Sequence, residues 1–190
     1  CNPLMLRGLK PNGIFSCLAS LAGPALSLLA EPGGVDPSFT SPLPSCAVYA
    51  VVEQPDGKLV IGGDFASPAN PAQHGITRLL PDGRVDPEFK TNVSFETTGG
   101  AYVNSLAIQP DGQILVGGMF ASAGGQPRDY LARLGADGSL DTGFTPSGHG
   151  DQLISVALQS DGRVIAFSST VVRRYLASGE DDLEFNGPLV

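Results

Sequence analysis

Apolar positions between residues 46 and 185 come in short runs, and each run breaks at the same polar signal. The stretch VVEQPDGKLVIGGDF at 51–65 returns as LAIQPDGQILVGGMF at 106–120 and, more worn, as VALQSDGRVIAFSST at 156–170. A second motif follows each copy: RLLPDGRVDPEF at 78–89, RLGADGSLDTGF at 133–144 and RYLASGEDDLEF at 174–185. Each motif is an Asp-Gly pair, or its Ser-Gly remnant, flanked by apolar β-type residues, which is the signal of a hairpin. Two consecutive hairpins make four short strands per unit. The run Leu59-Val60-Ile61, like Ile114-Leu115-Val116, is apolar at successive positions, so both faces of that strand are covered. Four-stranded antiparallel units with a period of about 50–55 residues, stacked face to face, are the blades of a β-propeller. A β-sandwich is the structural rival, and it leaves the returning sequence unexplained. The predicted class is therefore all-β, with three repeats and one orphan blade ending that do not close a ring.

Turn chemistry sets the reversal points. In Gln54-Pro55-Asp56-Gly57-Lys58, proline presets φ at the second turn position. Aspartate accepts at the third, and glycine takes the left-handed conformation that makes a G1 bulge. Gln109-Pro110-Asp111-Gly112 and Leu80-Pro81-Asp82-Gly83 repeat this order. Hairpins are expected to turn at Asp56, Asp82, Asp111, Asp137 and Asp161, with no helix of three turns anywhere in 46–185. The aspartates read as turn formers, because a calcium loop needs several alternating oxygen ligands. The pairs Gly62-Gly63 and Gly117-Gly118 end strands and open no helix, so they permit close backbone approach or a bulge and are no dinucleotide fingerprint.

One pair recurs in every unit: Arg78 with Asp86, Arg133 with Asp141, and Arg174 with Asp182. In a hairpin with a three-residue Pro-Asp-Gly loop, Leu80 lies opposite Arg84. Two steps back along each strand put Arg78 opposite Asp86, on one face of the sheet. The expectation is a structural cross-strand Arg–carboxylate bridge in each blade. The alternative is a solvent-facing Arg and an Asp that only caps the following turn.

The order QPDGKLVIGGDF…RLLPDGRVDPEF resembles the delta-60 repeat, a bacterial β-propeller repeat of secreted and cell-surface proteins. The likeness runs over 46–89, 102–144 and 152–185. In the third copy Ser160 replaces proline, the Gly-Gly-x-Phe end is lost, Ala177-Ser178-Gly179 replaces the second Asp-Gly, and the loop between hairpins is shorter. The resemblance implies no fixed catalytic residues. Related propellers include lactonases and calcium-dependent phosphotriesterases, whose site residues find no match here.

Upstream of the repeats, Arg7 and Lys10 precede an uncharged run from Ile14 to Ala30. That is the layout of a secretory signal peptide, with cleavage after Ala22 or Ala30. Gly23-Pro24 interrupts the run, which is short for a membrane span. Residues 1–30 are thus expected to be a signal with upstream residues. Residues 31–45 form an orphan blade ending and linker, since GGVDPSF at 33–39 matches GRVDPEF at 83–89. The missing blades are expected beyond Val190 or from a second chain, and isolated residues 1–190 are expected to self-associate.

Composition narrows the function. The 190 residues include Gly 25 and Pro 16, with 42% hydrophobic and 16% charged, a globular balance rich in tight turns. The net charge of −8 disfavours nucleic acid. Cys1, Cys17 and Cys46 form neither a disulfide framework nor zinc spacing. His74 and His149 stand alone, and Asp64, Glu53 and Glu88 lack a matched partner. Asn92-Val93-Ser94 is a glycosylation sequon only in a eukaryotic source. No catalytic, cofactor-binding or metal-binding residue is assigned. The function read from the chain is an exported, non-catalytic scaffold that binds protein, glycan or the cell envelope. The alternative is a lactonase or calcium-dependent phosphotriesterase-like hydrolase, whose carboxylates and Asn would converge on an axial calcium ion.

Overall fold

Strands form where the apolar runs lie, and they turn at the Asp-Gly pairs. The structure is a computed structural model that describes residues 36–40, 43, 47–68, 74–90, 95–96, 100–147 and 155–185. The expected signal at 1–30, the three cysteines, the sequon at Asn92 and His149 lie outside these residues. Among the described residues there is no helix, and every sheet pairing is antiparallel.

Three sheets share one plan. The first blade is β1 (Ala47–Glu53), β2 (Leu59–Ala66) and β3 (His74–Leu79). A two-residue strand, β4 (Phe95–Glu96), precedes the second blade, which is built on β5 (Tyr102–Ile108) and β6 (Ile114–Met119). A small hairpin, β7 (Ser122–Ala123) and β8 (Gln126–Pro127), then pairs with β4, and β9 (Leu131–Leu134) completes the β5-β6-β9 sheet. The third blade is β10 (Ser155–Leu158), β11 (Val164–Phe167) and β12 (Val172–Tyr175). The fourth strand of each blade is cut to a single bridge: Leu79 with Val85, Leu134 with Leu140, and Tyr175 with Asp181. The residues after that bridge turn at once, because the Asp that follows caps a further turn.

The expected loop geometry is present at all five Asp-Gly turns. Gly57, Gly83, Gly112, Gly138 and Gly162 have φ between 80° and 87°. In the first turn Gly57 N–H donates to Gln54 O, and Gln54 N–H to Lys58 O. Asp56 Oδ1 accepts from Lys58 N–H, and Asp82, Asp111, Asp137 and Asp161 each accept from the backbone two residues on. Gly179 keeps the conformation at φ 95° although Ser178 stands in place of the aspartate.

The glycine pairs permit the close backbone approach expected of them, although β2 and β6 run on past them to Ala66 and Met119. A Cβ on Gly63 would stand 2.1 Å from Ala47 O, and one on Gly118 2.2 Å from Tyr102 O. The bulges at Val48/Ala50 and Val103/Ser105 lie opposite them.

The core lies between blades, since no blade can cover its own two faces. Strand β6 shows how. Ile114 and Val116 join a cluster with Val60, Ile76, Val103 and Leu134, which fills the junction of the first and second blades. Leu115, on the opposite face, joins Leu131, Phe144, Val156, Val164 and Tyr175 in the next junction. Ile114, Leu115 and Val116 are all fully buried. At about 25 cal/mol per Å² of apolar area removed from water, such strands supply most of the driving force for stacking. In each blade the face toward the lower-numbered neighbour is termed leading, and the other trailing. The second hairpin of each unit presents its Arg on the trailing face.

Candidate functional site

The recurrent polar groups meet at the junctions. Arg78 Nε donates to Asp86 Oδ2 at 2.9 Å, Arg133 Nε to Asp141 Oδ2 at 2.8 Å, and Arg174 Nε to Asp182 Oδ2 at 2.8 Å. The cross-strand bridge expected from the spacing is present in all three blades. The capping role posed as its alternative is present too. Asp86 Oδ1 accepts from Glu88 N–H, Asp141 Oδ1 from Gly143 N–H and Asp182 Oδ1 from Glu184 N–H. One oxygen holds the arginine and the other caps the turn.

Three further contacts complete each junction, and pairing of the two motifs alone does not reveal them. The guanidinium lies over the Phe that ends its motif: Arg78 over Phe89 at 4.8 Å, Arg133 over Phe144 at 4.5 Å, and Arg174 over Phe185 at 4.6 Å. A second polar side chain from the first hairpin reaches the same carboxylate oxygen. It is Lys58 on Asp86 at 3.2 Å, Gln113 on Asp141 at 3.4 Å, and Arg163 on Asp182 at 3.2 Å. Finally the arginine crosses to the next blade. Arg78 Nη1 donates to Ala136 O and Arg133 Nη1 to Ala177 O, both at 2.6 Å. Both acceptors sit in the second-hairpin turn of the following blade. Gln54 supports the first crossing, since its Oε1 accepts from Arg78 Nη1 and its Nε2 donates to Ala136 O. Lys58, Gln113 and Arg163 immediately follow the first Asp-Gly of each unit, so laying the three copies side by side would have found them.

Burial makes these contacts necessary. The Arg78 and Asp86 side chains are 6% and 2% exposed. A charge taken that far from water needs its partner and its hydrogen bonds. For Asp86, burial pushes the carboxyl up. The Glu88 N–H, the Lys58 ammonium and the Arg78 guanidinium outweigh it and hold the group below its ordinary value. Burial likewise opposes the shift at Asp141, where Arg133 and the Gly143 N–H prevail. Asp137, in the turn that receives Arg78, is held well below the carboxylate range by Lys90 and Ser139.

The remaining candidates stay apart. His74 is exposed at the start of β3, and Asp64 is exposed on β2. Among the described residues, no three His, Cys, Asp or Glu side chains gather in a group that could hold a metal ion. Arg128 is buried, and its guanidinium is held by the carbonyls of Pro127 and Thr142. It ties the β7–β8 hairpin to the end of the second blade. No helix among the described residues is long and apolar enough to cross a membrane.

Comparison with known proteins points the same way as the geometry. The β-propeller family described as a domain of unknown function, DUF5122, matches residues 54–89 and 109–144. The match supports the β-propeller repeat architecture of the chain. No protein of curated function matches it in sequence. Among solved structures, an extracellular domain assigned to a hybrid two component system of B. thetaiotaomicron is similar at TM-score 0.51 and 17% identity. The match covers 72% of this chain and 16% of that one. A gluconolactonase from Xanthomonas campestris is similar at TM-score 0.51 and 17% identity, over 78% of this chain and 50% of that one. The chain therefore spans half or less of the length of these structures. At such identities the likeness concerns the fold.

Proposed function

We propose that this chain is a delta-60-type β-propeller module of bacterial origin, exported from the cell, that serves as a non-catalytic binding or structural scaffold for a protein, a glycan or the cell envelope. The observation that carries the reading is the use of the recurrent charged groups. Arg78 and Arg133 each hold an aspartate of their own blade, Asp86 or Asp141, and cross the junction to a backbone carbonyl of the next blade, so the motif that defines the repeat builds the stack. A uniform frame of this kind leaves recognition to the loops and outer edges. The n-region and uncharged run at 7–30 support export, as does the likeness to an extracellular domain.

The test uses the full chain. Calcium is titrated by calorimetry, and hydrolysis of a gluconolactone is followed with and without the ion. In parallel, binding is measured to a panel of polysaccharides and to isolated cell envelopes. The scaffold reading expects saturable binding to one of these surfaces and lactone hydrolysis at the uncatalysed rate. Calcium-dependent, saturable turnover would replace it with the hydrolase reading. A reporter fused after residue 30 tests export, which is expected to deliver the reporter outside the cytoplasm. A reporter that stays inside refutes it.

A further inference from the structure

The first junction carries an aromatic and acidic set that its frame does not use. Tyr49 of β1 and Tyr102, which opens β5, meet edge to face, with ring centroids 5.8 Å apart and planes at 74°. Tyr49 is 51% exposed and Tyr102 is partly buried. The two rings come from adjoining blades that are both present, so the exposure is not that of an open blade face. A bulge aims the first ring. Val48 pairs with Gly63 and Ala50 with Gly62, which leaves Tyr49 as the extra residue, and a bulge re-aims the side chain it inserts.

Asp64 stands on the same face. Gly62 is met by Val103 and Leu106 of the second blade, whereas Ile61 and Phe65 join a cluster on the opposite face of β2. Strand alternation then puts Asp64 with Gly62 on the trailing face. Its partner across the ladder is Ala47, two residues from Tyr49. Asp64 is exposed and makes no ion pair or hydrogen bond among the described residues. The repeat itself asks for neither Tyr49 nor Asp64. In the second blade Asn104 is the extra residue of the bulge, and Met119, paired with Tyr102, takes the place of Asp64. Side chains beside loops that carry no framing role are the ones open to recognition.

The chemistry selects a ligand class. Two rings near a right angle bound a corner whose walls are π faces, and a π face attracts a cation. A carboxylate without a counter-ion lies on the same face, and the net charge of −8 draws cations toward the protein. A metal ion needs several oxygen ligands, and among the described residues no group of His, Cys, Asp and Glu gathers to hold one. A primary ammonium is strongly hydrated and brings three N–H donors that need acceptors. A quaternary ammonium has no N–H to satisfy and binds against aromatic walls.

We propose that Tyr49, Tyr102 and Asp64 form a binding site for a quaternary ammonium group. The rings are its walls and the carboxylate balances its charge. The site does not rest on the scaffold reading, since a hydrolase would carry it equally well, and the failure of either leaves the other standing.

The experiment titrates choline and tetramethylammonium into the full chain. Binding is followed by calorimetry and by tyrosine emission, which no tryptophan masks. Both cations are expected to saturate. The neutral alcohol with a tert-butyl group in place of the trimethylammonium of choline has its shape without its charge, and is expected to bind about tenfold more weakly or worse. Tyr49→Leu and Asp64→Asn are each expected to weaken choline binding by about three- to tenfold. Tyr49→Phe keeps the ring and is expected to bind as the parent does. Thermal melts show that the stack is intact in each variant, as the exposure of Tyr49 and Asp64 leads one to expect. Vesicles of phosphatidylcholine that displace bound choline would assign the group to a lipid head, and vesicles that do not would assign it to a free solute; the site stands in both cases. Equal affinity for choline and the neutral alcohol overturns the proposal. So does a lack of saturation, or choline binding unchanged in both Tyr49→Leu and Asp64→Asn.

Discussion

The guanidinium of Arg78 ends on the carbonyl oxygen of Ala136, 58 residues further along the chain, at 2.6 Å. The same group holds Asp86 within its own blade. One side chain therefore sets the register of a hairpin and docks the next blade on it. Arg133 repeats both contacts toward Ala177. The stability of each blade is in this way coupled to that of its neighbour, as expected of a repeat stack.

Asp86→Asn is expected to destabilise the protein by about 2–4 kcal/mol, because it leaves a buried arginine without its counter-charge. Asp141→Asn is expected to cost less, about 1–2 kcal/mol, since the Arg133 and Asp141 side chains are 13% and 22% exposed and water compensates in part. Urea denaturation of the two variants beside the parent measures both. Equal and negligible losses would show that the pairs are idle.

Acid is expected to weaken the fold through the same carboxylates. Asp86 and Asp141 are held below their ordinary value in the folded state. The unfolded chain, with carboxylates near about 3.9, binds more protons in the window below that value, so stability rises with pH there. The contribution is complete above about pH 5 and is lost as pH falls through the depressed folded values. Thermal melts from pH 7 down to pH 2 should show the fall, and an Asp86→Asn/Asp141→Asn variant should show a shallower one. An identical slope in both would place the acid response elsewhere.

Gly138→Ala and Gly112→Ala separate turn strain from junction packing. The two glycines have φ of 86° and 85°, so the backbone cost is shared, about 1 kcal/mol. A Cβ at Gly112 meets only the Ala136 Cβ at 3.4 Å, whereas at Gly138 it meets the Phe89 ring at 2.7 Å. Gly138→Ala should cost about 1–3 kcal/mol more than Gly112→Ala by overpacking. Equal losses would mean that the ring gives way freely.

Gly62→Ala is expected to push the first two blades apart, because its methyl would stand 2.6 Å from Val103 Cγ1. Val103→Ala alone should cost about 1–3 kcal/mol as a core truncation. The double variant should be more stable than the sum of the single losses predicts, by about 1 kcal/mol or more, as contacting sites that trade volume do. Simple additivity in a double-mutant cycle would deny the contact.

Much of the junction was legible in the chain before any coordinates. The Arg and Asp of each second hairpin follow from loop length, because a three-residue Asp-Gly loop dictates which residues oppose one another. The glycine pairs announced bulges, which lie opposite Gly63 and Gly118. The crossings to Ala136 and Ala177 were not legible, since nothing local states which turn a guanidinium will meet 44 or 58 residues away. The stacking on Phe89, Phe144 and Phe185 recurs visibly at each motif's end, yet its meaning depends on the Phe swinging back under the arginine. The β4-β7-β8 sheet was missed for another reason. Each of its strands has two residues, too few to carry a period.

The sequence alone determined the all-β class, the hairpin turns, the blade repeat and the paired Arg and Asp, because turn chemistry and period-two strands act over a few residues. Tertiary structure decided the rest. The fourth strand shrinks to one bridge because the aspartate beyond it caps a turn. The core sits between blades because each strand such as β6 is apolar on both faces and finds cover only in its neighbours. And Gly62 and Gly117, an unremarkable pair in a list of residues, become contact points only once stacking has brought them against Val103 and Val156 of the neighbouring blade.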